Sequence, residues 1–302
     1  MNGIRKASAS RKAFQLLNYF LLVGFTLICI YPFWYILIYT VSEPAMAEMN
    51  SPVLLPRGFS LANYKNIFTL SGFFPALAMS ALRTVVGTAL SVVSCAFLGY
   101  LFTKEEMPGR KLIYRFLIFT MYISGGMIAN YIVIKSYGLL NSFWVYVLPG
   151  MISAYNVVLI KTYIEQLPAS LEESAKLDGA GYATVFARIV MPLSKPIIAT
   201  VVVFVAVGQW NSWFDNHIYT RGNESLTTLQ YLLYNYLNEA QRVAEQIKNT
   251  SNVDGIEQML ASISPKGVRM TITVLASLPI FLVYPFMQKH FVKGIMVGAV
   301  KG

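Results

Sequence analysis

Six stretches of the chain run without a single Asp, Glu, Lys or Arg: residues 13–42, 84–103, 116–134, 136–160, 196–214 and 270–288. Each reaches the length of about 18 residues that an apolar helix needs to cross the hydrocarbon core of a bilayer. Inside lipid every backbone N–H and C=O must find its partner within its own segment, and runs of Leu, Ile, Val, Ala and Phe do so as helices. None of the six alternates in polarity as transmembrane strands do. The chain therefore reads as an all-α polytopic membrane protein with six transmembrane helices. Composition agrees: 13% of the 302 residues are charged and 56% hydrophobic, whereas about a quarter of a soluble domain is charged.

The net charge of +10 reads as topology rather than nucleic-acid binding. With the N-terminus inside, the inner segments carry Arg5, Lys6, Arg11, Lys12, then Lys104, Arg110, Lys111, Arg115, then Lys161, Lys176, Arg188, Lys195, and finally Lys289, Lys293 and Lys301. These are more than half of the 24 basic residues, close to helix ends, where the positive-inside rule operates. Both termini are expected to be cytoplasmic, with the basic residues also meeting anionic membrane lipids. The basic stretch before residue 13 invites a secretory-signal reading, but the apolar run is too long and lacks a small-residue cleavage pattern, so it stays as the first helix. Cys29 and Cys95 sit in different apolar windows without metal or redox spacing and read as reduced packing residues.

No internal repeat or separate soluble domain is evident, so residues 1–302 form one transmembrane domain. The outer connection 43–72 contains Pro44, Pro52, Pro56 and Gly58, then a more apolar stretch from Asn63 to Phe74 that suits one interfacial helix. The second span is expected to begin near Phe73, which places Arg83 inside the membrane. Pro108-Gly109 marks a tight inner turn, Gly125-Gly126 interrupts the third span, and Gly138–Asn141 supplies a short outer turn. Two longer connections remain, an inner one containing 167–192 and an extracytoplasmic one over 215–269. The latter is expected to hold helix around Tyr231–Tyr234 and Ala240–Glu245.

The 167–192 loop is dense in helix signals. Ser170 and Glu173 stand in the S-x-x-E relation of a capping box, so a helix should run over Leu171–Leu177. It should stop at Asp178-Gly179, since Gly accepts the left-handed conformation that ends many helices. A second helix follows, with Tyr182, Val185, Phe186, Ile189 and Val190 on one apolar face, and Pro192 closes it. This cytoplasmic helix-turn-helix, between the fourth and fifth spans, either packs against the base of the bundle or docks a cytoplasmic partner. Glu173 reads either as the capping residue or as an ion-pair partner.

Glu173-Ser174-Ala175-Lys176-Leu177-Asp178-Gly179-Ala180, followed by Phe186, Ile189, Pro192 and Pro196, resembles the "EAA" coupling loop of ABC importer permeases. Ser174, Met191 and Gly181 depart from the usual Ala, Leu and Ser. Gly208-Gln209-Trp210-Asn211-Ser212-Trp213, Leu226–Leu229, and the C-terminal Phe291–Ile295 and Gly298–Gly302 look like carbohydrate importers of the maltose-permease type. Ser124–Ile128 and Gly138–Ser142 look like a Gram-positive branch associated with complex oligosaccharides. The resemblance implies a transport subunit, not an enzyme, that pairs with a second permease above two ATPase subunits and receives an oligosaccharide from an extracytoplasmic solute-binding protein. The chain has no G-x-x-x-x-G-K-[ST] phosphate loop, so ATP and magnesium are expected on the partner ATPase and no cofactor or metal in this chain. It also implies that Glu173, Ala175, Asp178, Gly179, Ala180, Tyr182, Phe186, Ile189 and Pro192 carry ATPase coupling.

For the substrate pathway the candidates are Arg83, Gln209, Trp210, Asn211 and Trp213. Trp210 and Trp213 lie three apart and would share a helix face, either stacking on sugar or forming part of the interfacial aromatic belt. Arg83 either faces the pathway, as intramembrane charges commonly do, or snorkels to the surface. A secondary transporter is disfavoured because no Asp or Glu falls within any of the six windows. A membrane enzyme is disfavoured because His217 and His290 stand singly, without metal or triad spacing. Import of a non-sugar solute is the nearest alternative.

Overall fold

The computed structural model describes residues 9–50, 54–249 and 265–299. Arg5, Lys6, Val300, Lys301, Gly302 and the central part of the outer connection, 250–264, lie outside the described residues. Among the described residues the chain is helical and without strands apart from one isolated bridge, Ser42 to Phe59. Three helical stretches are long and apolar enough to cross a membrane: Arg11–Thr40, Phe73–Leu101 and Lys266–Val283. A bent pair, Tyr182–Leu193 and Lys195–Asn211, meets at 83° and makes a fourth if taken as one span.

The chain divides into two compact units, residues 1–70 with 237–275 and residues 71–236 with 276–302. In the first, α1 (Ala9–Thr40) carries Pro32 inside it and is followed by α2 (Pro44–Met49) and α3 (Ala62–Phe68). The α3 helix falls in the outer connection, as its apolar stretch predicts. Asn63 Nδ2 donates to Thr40 O at 3.2 Å, and the Tyr64 hydroxyl lies 2.8 Å from Thr40 Oγ1. Cys29 is exposed on α1, so the packing role expected for both cysteines holds for Cys95 alone.

The second unit is organised around α4 (Phe73–Leu101), which packs against α7 (Ala154–Ile164) and α11 (Lys195–Asn211). Its buried positions recur every three or four residues and are rich in small side chains: Ala76, Ser80, Gly87, Ser91, Ala96 and Gly99. Helices in a membrane gain little from hydrophobic exclusion, so close van der Waals approach holds them together, and small residues permit it. A Cβ on Gly99 would stand 3.2 Å from the backbone nitrogen of Lys161. Around this contact Val92, Cys95, Ala96, Tyr100, Val157, Ile160 and Val201 form the core.

The windows 116–134 and 136–160 do not form continuous long helices. The first splits into α5 (Arg110–Phe119) and α6 (Gly126–Ser136), broken ahead of the Gly125-Gly126 pair, where Gly126 has a φ of +76°. The second contains Gly138 and Asn141 at positive φ, a 3₁₀ turn at Phe143–Tyr146, and then α7. Charge-free composition thus marks membrane-compatible sequence, but glycine and asparagine turns within it decide where helix stops.

Candidate functional site

The 167–192 loop folds as α8 (Ala169–Leu177), a turn, and a second helical stretch made of α9 (Tyr182–Val185), a π turn (Phe186–Val190) and α10 (Met191–Leu193). The capping box does not form. Pro168 occupies the N-cap without a side-chain bond, and Ser170 lies inside the helix. Pro168 has the extended conformation of a cap residue, and this starts the helix two residues earlier than Ser170 would. Glu173 then falls in the second turn of α8, too far along to cap it, and is exposed.

The stop at Asp178-Gly179 is as expected, with Gly179 at φ +81°. Its N–H donates to Lys176 O at 3.0 Å and the Ala180 N–H to Ala175 O at 2.9 Å, the paired bonds of a Schellman motif. Gly181 then caps the second stretch. Val185 and Val190 are buried and Phe186 lies 5.4 Å from the Tyr100 ring and 5.6 Å from Phe97. The apolar face of this stretch packs on α4, the first of the two readings that its spacing allowed. Tyr182, Asp178, Gly179 and Pro192 remain exposed, while Ala175, Ala180 and Ile189 are half-buried. The π turn closes with the Met191 N–H bonded to Phe186 O, directly ahead of Pro192, which has no N–H to offer.

Spacing did not reveal Glu172. Its carboxylate pairs with Lys104 and lies 3.5 Å from Lys176 Nζ, and Tyr100 OH donates to it at 3.4 Å. It therefore ties α8 to the end of α4, where Lys104 Nζ also sits 4.2 Å above the Tyr100 ring. Lys176 also reaches Glu106 at 3.5 Å, and Glu106 is held below the usual carboxylate range by a bond to its own backbone and by Lys176. Leu177, at the end of α8, is 90% exposed. A charge one residue ahead of the recognisable motif gives no sequence signal of its partner elsewhere in the fold.

At the other end of α4, Arg83 is 2% exposed and lines a cavity of about 650 Å³ between α4, α6, α7 and α11. Its Nε and Nη2 donate to Gln209 Oε1 at 3.2 and 3.1 Å. Nη2 also donates to Asp215 Oδ2 at 2.5 Å, while Nη1 donates to Asp215 Oδ1 at 3.1 Å and to Ser212 O at 3.3 Å. All five guanidinium N–H groups are thus engaged, and the Tyr146 ring covers one face at 4.5 Å. Arg83 does not snorkel; the adjacent Asp215 gives it a partner within the fold. Beyond this knot, α12 (Phe214–Tyr219) is pinned by fully buried Asn216, whose Oδ1 accepts from Thr228 N at 2.7 Å and whose Nδ2 donates to Thr220 Oγ1 at 2.7 Å. Sequence reasoning missed Asn216, since an Asn in a polar connection carries no burial signal.

The remaining pathway candidates separate. Gln209 joins the knot and donates to Tyr146 O at 3.3 Å. Asn211 is exposed at the end of α11. Trp210 and Trp213 do not share a helix face, because α11 ends at Asn211 and Ser212 is extended. Trp210 Nε1 donates to Ala276 O at 2.9 Å, whereas Trp213 stacks on Tyr234 at 4.1 Å at the start of α13 (Leu229–Asn249). That helix covers both segments expected to be helical in the outer connection. Ala276 lies on α14 (Pro265–Ala299). Among the described residues no group of three or more His, Cys, Asp or Glu is arranged to hold a metal ion.

Residues 95–297, which take in the whole 167–192 loop, match the family of binding-protein-dependent transport system inner membrane components. The chain belongs to that family. It is therefore a membrane permease of the ABC importer type, an inner-membrane component of a transport system that depends on a binding protein. Protein LplC of Bacillus subtilis (strain 168) is 38% identical over 291 residues, covering 96% of this permease and 96% of that protein. The polygalacturonan/rhamnogalacturonan transport system permease protein YtcP of the same organism is 35% identical over 294 residues, covering 96% and 99%. A chain in the crystal structure of a bacterial ABC transporter involved in the import of the acidic polysaccharide alginate superimposes with a TM-score of 0.77 at 28% identity, covering 95% of this permease and 99% of that chain.

Proposed function

We propose that this permease moves an oligosaccharide, delivered by an extracytoplasmic solute-binding protein, through a pathway it shares with a second permease subunit. The observation that carries this reading is the near full-length similarity to permeases of polygalacturonan, rhamnogalacturonan and maltodextrin transport. The whole chain then acts as one transmembrane permease domain with six spans and both termini cytoplasmic; the shorter helices α5, α6 and α7 complete spans as broken or tilted elements.

Two ATPase subunits, carrying ATP and magnesium, dock beneath the permease pair, one of them on 167–192 of this chain. Glu173, Asp178, Gly179 and Tyr182 meet them from the exposed side, and Phe186 and Ile189 pass the displacement inward to α4. Gly179 suits this task because nothing lies within 4 Å of where its Cβ would stand, leaving a flat turn for another backbone. ATP-driven closure then reaches the cavity as a rigid-body movement.

The test is affinity purification of the tagged permease from its native membrane, as wild type and as Gly179→Asp. A second permease and an ATPase should accompany the wild type, and the ATPase alone should be lost with the variant. A wild-type chain that purifies alone and moves solute without ATP would overturn the reading in favour of a secondary transporter.

A further inference from the structure

The cavity beside Arg83 contains a polar group that the fold itself does not use. Asn156, on α7, lines the cavity and is 6% exposed. Its backbone N–H bonds Ser153 Oγ at 3.4 Å, but its side-chain amide forms no hydrogen bond among the described residues. An amide that opens onto a cavity and bonds nothing in the fold keeps its acceptor and both donors for whatever enters. Two further groups face the same space. Ser91, on α4, is 1% exposed and reaches only the Cys95 sulfur, at 3.9 Å. Asn130, on α6, is exposed and contributes a second amide.

The charged part of the wall is the reverse case. Arg83 and Asp215 are the only acidic or basic residues lining the cavity among those described, they bond each other, and no guanidinium N–H is left over. A carboxylate on the sugar could take Arg83 only by displacing Asp215, which meets the guanidinium through both of its oxygens and is itself held in place by Ser212 Oγ at 3.0 Å and the Asn216 N–H at 2.9 Å. An amide, by contrast, offers an acceptor and two donors side by side, and a sugar hydroxyl is donor and acceptor at once.

We propose that Asn156, with Ser91 and Asn130, forms a hydroxyl-reading subsite for a saccharide, and that this permease does not read the charge of its sugar. The proposal rests on the cavity being the sugar pathway. Selection between neutral and uronate-bearing chains then falls to the other subunits of the importer, while this chain holds any polyhydroxy ring that enters.

The test uses the intact importer with its binding protein, reconstituted in vesicles and given a mixture of neutral and uronate-bearing oligosaccharides of about three to six sugar units, with uptake read by mass spectrometry. Asn156→Leu removes the amide while keeping the branched skeleton of the side chain. Uptake below saturation is expected to fall about tenfold, the loss of one or two buried hydrogen bonds, equally for both sugar classes, with the half-saturating concentration raised. Should that variant fail to assemble with its partners, Asn156→Ser, which keeps a hydroxyl, decides the matter by an intermediate fall. Unchanged uptake in the assembled variant, or a loss confined to the uronate-bearing chains, overturns the subsite. A wild-type importer that takes up no oligosaccharide overturns the sugar reading beneath it, and the two failures differ at the wild-type measurement.

Discussion

Arg83 and Gly179 belong to the same compact unit but handle polar groups in opposite ways. Around Arg83 every donor is spent inside the fold, on Gln209, Asp215 and Ser212. Around Gly179 the turn satisfies its own backbone through two Schellman bonds and leaves its outer surface bare. The helix α4 connects the two regions: about 26 Å of helical rise separates Arg83 from Tyr100, which holds Glu172 of α8. A closed knot makes one end of α4 a fixed joint, and an open turn makes the other available to a partner.

The sharpest way to break this contrast is Arg83→Leu. It leaves the Asp215 carboxylate and Gln209 without their main donor, at an expected cost of about 3 kcal/mol, seen as loss of folded permease and a lower Tm of the purified complex. Arg83→Leu combined with Asp215→Leu should recover most of that loss. A double variant no better than the single would mean that the pair is not one closed unit. Next in size is Asn216→Ala, which strips Thr228 N–H of its acceptor and should cost about 2 kcal/mol, again read as a fall in Tm without loss of ATPase capture.

At the open end the effects on folding should be smaller and those on partners larger. Gly179→Ala meets no atom and suffers only from its positive φ, at about 1 kcal/mol. The permease should extract normally while capturing less ATPase, and Gly179→Asn, which tolerates the left-handed region, should extract like the wild type. Equal loss of capture in both would show that the partner needs the missing side chain rather than the turn. The smallest effect on folding is expected from Glu172→Gln, whose ion pairs are partly exposed, at about 0.5 kcal/mol. Its signature is functional: more ATP hydrolysed per sugar moved, since α8 is less firmly tied to α4.

Several local features were legible because they depend on residue type at one place. The stop at Asp178-Gly179 follows from glycine's freedom at positive φ, and so do the break at Gly125-Gly126 and the start of α4 at Phe73, directly after Gly72 at φ +81°. Ser170 misled because a capping box is only one way to begin a helix, and Pro168 two residues earlier supplied another.

The sequence by itself determined the class of the molecule. Long charge-free runs permit little but membrane helices, since an unpaired backbone group in lipid is so costly, and the 167–192 motif sufficed for the family resemblance. Only the tertiary structure decided what each polar side chain does: that Arg83 spends its charge on Asp215, 132 residues away, that Glu172 meets Lys104 and Tyr100, and that Asn156 is left with its amide unpaired in the cavity wall. These outcomes depend on which helices lie side by side, and a hydrogen bond, being short and directional, carries no trace of its partner in the spacing of the chain.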